Sequence, residues 1–221
     1  MKKHYKTLIV EDHVSTANGI AGFLDEISNS TGTEFTTRIA YNLVDALTAL
    51  KTKPSFDLVF LDIKLKPQPE IGMNSGEDLG SEIRKRYPKT LIIVSTIHDE
   101  PFYIENIMKN VTPEGFFVKG DLDPKCFVSA IKTVLDDSPY LSKTVVKYVS
   151  HKFKTEITIN SLDRQLLFEM EKGFTMKEIA DNLFFSRSTV TKMKKKLKIT
   201  LGVEGGSNKD LLDKAREMGF I

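Results

Sequence analysis

The chain has 221 residues, with 32 Lys and Arg residues against 30 Asp and Glu, and its single cysteine, Cys126, cannot form an internal disulfide. This length suffices for one or two domains with buried cores, and one cysteine excludes a disulfide-stapled small protein. The first apolar run, 8–10, is too short for a signal peptide or a membrane span, so we expect a cytoplasmic protein without membrane association. Residues 1–135 carry 16 basic and 18 acidic residues, and residues 136–221 carry 16 and 12. This asymmetry favours a polyanionic partner for the second part.

Residues 1–135 alternate short apolar runs with segments of helical periodicity, a pattern typical of βα units around a parallel sheet. Five runs are apolar enough for buried parallel strands, namely 6–10, 35–40, 56–63, 90–96 and 115–119. The sequence therefore predicts an α/β domain with a doubly wound five-stranded parallel sheet over 1–135. We expect a linker over 136–158 and a small all-α domain over 159–221.

Chemically active side chains follow four of these strands, at the edge where an open α/β sheet has its functional crevice. Glu11 and Asp12 follow the first strand and Asp62 the third, while Ser95 and Lys119 end the fourth and fifth. Three converging carboxylates repel one another unless a cation lies among them, and oxygen ligands suit Mg²⁺. The hydroxyl and the ammonium are donors for an anion at the metal, for which a phosphoryl group is the natural candidate.

With these residues at the strand ends, residues 5–135 resemble the receiver domain of two-component response regulators, which has the flavodoxin-like fold of CheY. The resemblance implies that Asp62 accepts a phosphoryl group from a sensor histidine kinase. It further implies that Mg²⁺ is bound by Glu11, Asp12, Asp62 and the backbone carbonyl of Lys64.

The same resemblance implies catalytic and switching roles. In the family, the residues that match Ser95 and Lys119 contact the phosphoryl group, and those that match Ser95 and Phe116 change position on activation. The apolar surroundings of Phe116 by themselves indicate a core role for this residue. The loop after Asp62 departs from the family: Lys66 stands where a proline is usual, and the segment before Gly76 is several residues longer. We expect this difference to alter the rim above Asp62 and hence partner choice.

Residues 161–201 have apolar positions at helical spacing in three short pieces. Thr175 and Glu178 form a capping box at the second piece, and Ser186 is a good N-cap for the third. Residues 187–198 contain six basic residues and no acidic one. Two short helices with a tight connection, the second basic, indicate a helix-turn-helix.

The string GFTMKEIADNLFFSRSTVTKMKKKLKITLGV, residues 173–203, resembles the LuxR-type helix-turn-helix of NarL/FixJ response regulators. The resemblance implies double-stranded DNA as a partner and, through the closing segment 208–221, a homodimer when active. Leu162 and Met193 depart from the family pattern, so the operator sequence is not carried over. The implied DNA-binding residues are Arg187, Ser188, Thr191, Lys192, Lys194, Lys195 and Lys196.

These features predict a phosphorylation-controlled transcriptional regulator and not an enzyme. One alternative is a Mg²⁺-dependent phosphohydrolase with an aspartate nucleophile, but Lys64 stands where such enzymes usually carry a second acid. A nucleotide-binding flavodoxin-like protein is disfavoured because no glycine loop follows the first strand. A receiver that regulates without being phosphorylated is disfavoured by the full set of acids. His4, His13, His98 and His151 lack metal-ligand spacing and are interpreted as structural or surface residues.

Overall fold

A computed structural model describes residues 3–52, 56–121, 123–154, 157 and 159–221. The chain divides into two compact units. The first comprises Met1–Asp99 with Asn106–Val145, and the second comprises Glu100–Glu105 with Val146–Ile221. None of the helices in the described part of the chain is long and apolar enough to cross a membrane.

Strands and helices alternate through the first part of the chain. The strands are β1 (His4–Val10), β2 (Glu34–Ala40), β3 (Leu58–Asp62), β4 (Leu91–Thr96), β5 (Gly115–Val118) and β6 (Tyr140–Leu141). The helices are α1 (Val14–Thr31), α2 (Leu43–Thr52), α3 (Gly76–Arg86), α4 (Pro101–Asn110), α5 (Pro124–Leu135) and α6 (Lys143–Lys154). All strands are parallel, in the order β2-β1-β3-β4-β5-β6.

The prediction of a doubly wound parallel sheet is confirmed, but the prediction of five strands is wrong. The sixth strand, β6, has two residues and pairs with β5 through Gly115 and Phe116. It lies within the segment predicted as a linker, where two residues are too short to show strand periodicity.

The central strands are apolar because helices cover both faces of a parallel sheet. Every residue of β3 is buried, and Phe60 packs in a core cluster with Ile9, Ile93 and Phe117. This burial holds the carboxyl ends of β1, β3, β4 and β5 in fixed register, and the functional side chains of the first unit lie at that edge.

The carboxylate of Asp121 ties the end of β5 to the beginning of α6. Asp121 Oδ2 accepts hydrogen bonds from Ser142 Oγ at 2.8 Å and from the Thr144 backbone N–H at 2.7 Å, and Oδ1 accepts one from Thr144 Oγ1 at 2.9 Å. Burial raises the pKa of Asp121, but these hydrogen bonds and the charge of Lys143 outweigh it and leave the pKa below its ordinary value.

We expect Asp121→Asn to destabilise the first unit by about 1 kcal/mol at pH 7, because an amide has one acceptor oxygen and cannot replace both accepting oxygens of the carboxylate. Because the folded-state pKa of Asp121 is lowered, its contribution is present above the unfolded pKa and is lost as the pH falls through the folded value. The stability difference between the variant and wild type should therefore shrink toward pH 3 in urea titrations. Asp25→Asn, on an exposed face of α1, is the control, and an equal pH trend in both variants would contradict the assignment.

Four short helices within residues 159–221 of the second unit surround one core. They are α7 (Ser161–Glu171), α8 (Met176–Asn182), α9 (Arg187–Thr200) and α10 (Asn208–Glu217). Polar side chains accept a hydrogen bond from a first-turn N–H at all four N-termini, and the predicted capping box of Thr175 and Glu178 is present. Val190 and Leu197 of α9 pack in the core with Leu166, Ile179 and Leu211. Burial of one face of α9 leaves its basic residues on the other face.

Candidate functional site

Three carboxylates meet at the carboxyl edge of the sheet because β1 and β3 are adjacent parallel strands. Glu11, Asp12 and Asp62 each have an oxygen in a cluster whose ligand atoms all lie within 4.8 Å of one another, and His13 contributes a ring nitrogen to it. Glu11 is 1% exposed and Asp62 4%. Such a cluster costs free energy unless positive charge compensates it.

Lys119 provides part of that compensation. Its Nζ lies 3.0 Å from Glu11 Oε2 and 2.8 Å from Asp62 Oδ2, and it donates a hydrogen bond to each. Burial lowers the pKa of Lys119, but the hydrogen bonds and charges of Asp62 and Glu11 outweigh it and raise the pKa above its ordinary value. The ammonium is therefore charged at neutral pH, beside the carboxylate predicted to accept a phosphoryl group.

The donor set fits a hard divalent cation. Asp12 Oδ1 is buried and has no hydrogen-bond partner in the described part of the structure, since His13 Nδ1 lies 2.8 Å away without hydrogen-bond geometry. An unsatisfied carboxylate oxygen beside the oxygens of Glu11 and Asp62 is the ligand chemistry that Mg²⁺ prefers. The structure therefore provides an acidic cluster suited to Mg²⁺ at the edge predicted for it.

The other residues predicted for this site lie around Asp62. Ser95 pairs in register with Asp62 on the neighbouring strand and is 6% exposed. The backbone N–H of Lys64 donates to Asp62 Oδ1 at 2.9 Å, whereas its carbonyl as a metal ligand stays a prediction. Phe116 is fully buried in β5, as its core interpretation predicts, and its switching role is untested.

The loop between Asp62 and α3 is closed at its base and within itself. Gly76 donates its backbone N–H to Ile63 O at 3.0 Å, and Gln68 and Met73 exchange two backbone hydrogen bonds further out. Met73 and Leu65 are buried. The residues that exceed the usual family length thus form a closed loop with two buried apolar side chains.

Gly76 lies closer to the backbone at the end of β3 than a residue with a side chain could. A Cβ at this position would lie 2.0 Å from the Asp62 carbonyl oxygen and 2.9 Å from the Asp62 carbonyl carbon. These neighbours are backbone atoms, so Gly76→Ala must displace either α3 or the end of β3.

We expect Gly76→Ala to destabilise the chain by about 1 to 3 kcal/mol, the usual cost of overpacking, and to slow phosphorylation of Asp62. Gly19→Ala is the matched control, because a Cβ at Gly19 in α1 meets no atom within 4 Å. That variant should gain about 0.5 to 1 kcal/mol from higher helix propensity. Thermal denaturation of both variants checks the prediction, which an unchanged melting temperature for Gly76→Ala would contradict.

Helix α9 presents its predicted DNA-binding residues on the surface. Ser188, Lys192 and Lys195 lie on one exposed face, since they are spaced by four and three residues. Lys194 is partly buried, and burial together with the charge of Lys198 lowers its pKa. The exposed residues of the predicted set are Arg187, Ser188, Thr191, Lys192, Lys195 and Lys196.

The turn before α9 contains a strained residue, Phe184. Helix α8 ends with two hydrogen bonds, from the Phe184 N–H to Asp181 O at 3.2 Å and from the Phe185 N–H to Ala180 O at 2.9 Å. This is the Schellman arrangement, in which the residue with positive φ is usually glycine. Phe184 has φ of 56°, a conformation that costs a residue with a side chain roughly 1 to 2 kcal/mol.

Two residues of these sites have structural features that the sequence patterns do not predict. His13 is exposed, as its interpretation as a surface residue predicts, but its Nδ1 also lies within the acidic cluster, which the sequence patterns do not indicate. Its position directly after Glu11 and Asp12 was the available signal. The strain at Phe184 had a weaker signal, namely a phenylalanine at the end of a short helix where a C-capping glycine is usual.

Comparisons with known proteins agree with this geometry. Residues 7–132 match the response regulator receiver domain family. The oxygen regulatory protein NreC of Staphylococcus haemolyticus strain JCSC1435 is 26% identical over 230 residues, covering 94% of this chain and 99% of the relative. NreC of Staphylococcus aureus strain JH9 is 24% identical over 211 residues, covering 90% and 92%.

Solved structures of response regulators share the fold. A complex of the two-component response regulator RcsB with DNA has a TM-score of 0.63 at 20% identity, covering 97% of this chain and 98% of that one. RcsB from Salmonella enterica serovar Typhimurium, bound to promoter P1flhDC in the presence of the phosphomimetic BeF3-, has a TM-score of 0.64 at 20% identity, covering 95% and 97%. The family match spans more than half of the chain, from β1 to α5, and confirms the resemblance of the first unit. The chain therefore belongs to the response regulator receiver domain family.

Proposed function

We propose that this protein is a DNA-binding transcriptional regulator controlled by phosphorylation of Asp62 by a sensor histidine kinase. The observation that carries the proposal is the placement of Asp62, which is buried beside Glu11 and Asp12 and within 2.8 Å of the Lys119 ammonium. A regulator of this kind is cytoplasmic, acts as a homodimer when active, and is not an enzyme acting on a separate substrate.

The chemistry at Asp62 is the transfer of one phosphoryl group to a carboxylate. A carboxylate oxygen of Asp62 forms a bond to phosphorus, while the bond from phosphorus to the histidine nitrogen of the kinase breaks and its electron pair stays on that nitrogen. Mg²⁺, when bound by Glu11, Asp12, Asp62 and the carbonyl of Lys64, neutralises the negative charge that the two reactants bring together.

The side chains of this chain prepare and then detect the modification. Lys119 orients Asp62 before transfer, because its ammonium bridges the carboxylates of Glu11 and Asp62. Phosphorylation adds about two negative charges and three acceptor oxygens. Lys119 then pairs with the phosphoryl group, and the Ser95 hydroxyl donates to it from the neighbouring strand. Phe116 is the buried aromatic residue that would follow this shift.

Helix α9 supplies the output. Thr191, Lys192 and Lys195 are proposed to read base edges in the major groove, where a lysine ammonium can donate to guanine O6 and N7. Ser188, Lys194 and Lys196 are proposed to contact phosphates, which adds affinity without sequence information, and Arg187 is a further proposed DNA-binding residue. Partial burial of Lys194 makes it the weakest contact of this second set.

A gel-shift titration of the full chain against the genomic DNA upstream of its own gene tests the proposal. We expect binding to become tighter after incubation with acetyl phosphate and Mg²⁺, and to stay unchanged when acetate replaces acetyl phosphate. Absence of a shifted band in both states would contradict DNA binding. Equal affinity in both states would contradict control by phosphorylation.

A further inference from the structure

Phe184 is an exception among the helix ends of the second unit. Helices α7, α9 and α10 end with the same pair of hydrogen bonds as α8, and glycine occupies the left-handed position in each. These glycines are Gly173, Gly202 and Gly219, with φ of 82°, 69° and 68°. At the end of α8 the corresponding residue is a phenylalanine, which adopts this conformation at a cost in stability that glycine avoids.

In the part of the chain that the structure describes, the Phe184 ring lies almost entirely in water. Its side chain is 95% exposed, whereas the next residue, Phe185, is 38% exposed. Exposure to water leaves the ring without the burial that normally stabilises an aromatic residue. A bulky apolar residue that is both strained and exposed indicates a function outside the folding of the domain.

The position of Phe184 indicates which partner the ring meets. It lies two residues before Ser186, the N-cap of α9, and Arg187 and Ser188 follow in the exposed first turn. In helix-turn-helix proteins the N-terminal residues of the second helix contact base edges in the major groove. The exposed ring therefore lies beside the end of α9 that is proposed to enter the major groove, near a residue proposed to contact phosphate.

We infer that Phe184 packs against the 5-methyl group of a thymine at the edge of the binding site, an inference that rests on the proposed DNA-binding function. The edges of the bases in the major groove offer donors, acceptors and one apolar group, the thymine methyl. A solvated aromatic ring gains free energy by covering that methyl group, and the basic residues of α9 cannot make this contact. Phe184 is thus a specificity-determining residue that adds a preference for thymine beside the bases read by α9.

Two duplexes and four forms of the full chain test this inference. The first duplex is the tightest-binding sequence that the acetyl phosphate-treated wild type selects from a random library, and the second has uracil in place of every thymine. The proteins are the wild type, Phe184→Gly, Phe184→Asn and Leu162→Ala, the last of which truncates an exposed leucine on α7. Glycine and asparagine both tolerate a positive φ, so neither variant adds strain.

We expect Phe184→Gly and Phe184→Asn to bind the thymine duplex about fourfold more weakly than the wild type, the fold-change equivalent to burial of one methyl group. The ratio of thymine to uracil affinities should fall by the same factor in both variants and stay unchanged in Leu162→Ala. The melting temperature of Phe184→Gly should rise by about 4 °C because the strain is relieved. Together these results would show that the ring serves binding at the expense of stability.

Other outcomes overturn the inference in distinguishable ways. If the wild type binds neither duplex, the proposed function fails and this inference with it. If the wild type binds and both Phe184 variants bind equally well, DNA binding stands and the ring has no part in it. If both variants bind more weakly but keep the wild-type ratio, the ring contacts the sugar-phosphate backbone and not thymine. A lower melting temperature for Phe184→Gly would show that the ring stabilises the domain.

Discussion

Asp62→Asn is expected to abolish phosphorylation, the largest single effect of any substitution in the first unit. Wild-type protein incubated with acetyl phosphate and Mg²⁺ should gain the mass of one phosphoryl group, measured on the intact protein. The asparagine variant should gain none, because its amide oxygen lacks the charge of the buried Asp62 carboxylate and is a poor nucleophile. Chelation of Mg²⁺ by EDTA should also prevent labelling of the wild type, because the carboxylate cluster then repels the incoming dianion.

Asp57→Asn is the matched control for this experiment. Asp57 directly precedes β3, at the end of the strand opposite to Asp62, and its Oδ2 accepts the backbone N–H of Lys6 at 2.8 Å. The same chemical change there leaves the acidic cluster untouched, so the variant should be labelled as the wild type is. Labelling of Asp62→Asn to the wild-type extent would show that another residue accepts the phosphoryl group. Labelling of the wild type in EDTA would show that the reaction does not require a metal ion.

Lys195→Ala and Lys196→Ala are expected to weaken DNA binding in different ways. Lys195 shares an exposed face of α9 with Ser188 and Lys192. Lys196 lies near Asp163: burial raises the pKa of Asp163, and the positive charge of Lys196 partly offsets that rise. Loss of a base contact at Lys195 should cost about 1 to 3 kcal/mol on the cognate duplex and much less on random DNA. Loss of a phosphate contact at Lys196 should weaken both alike and reduce the salt slope by about one unit.

Competition titrations at several salt concentrations separate these two effects. Lys209→Ala is a suitable control, because it removes the same charge from α10. It should change the specific affinity less than Lys195→Ala does and the salt slope less than Lys196→Ala does. If the Lys195 and Lys196 variants lose specific and non-specific affinity in the same proportion, α9 is an electrostatic contact only. Sequence recognition would then have to come from other residues.

The sequence predicts the place of the acidic cluster well, because long-range position follows from a simple rule. Apolar runs long enough for buried strands mark β1, β3, β4 and β5, and parallel strands bring their carboxyl ends to one edge. Glu11, Asp62 and Lys119 therefore meet in the structure although 108 positions separate the first from the last. Their distances could not be predicted, since these depend on side-chain rotamers and on the packing beneath the edge.

Other features leave too little trace in the sequence. The two residues of β6 have no periodicity, and only their pairing with β5 makes them a strand. The position of His13 beside the carboxylates depends on the turn that joins β1 to α1. Phe184 is the clearest case, because residue preferences predict glycine or asparagine at a left-handed helix end and so predict against the conformation that this residue adopts.

The closed loop between Asp62 and α3 allows the surface that meets a partner to change independently of the chemistry at Asp62. Its base is fixed by the hydrogen bond between Ile63 and Gly76 and by the absence of a side chain at Gly76, while Gln68 and Met73 close its outer part. We expect residues inserted, deleted or exchanged in that outer part to leave the end of β3 in place. Recognition of a partner would then diverge between related regulators while the proposed phosphorylation of Asp62 stays constant. A loop transplanted with both of its closures intact would then be a unit for redirecting a regulator to another kinase.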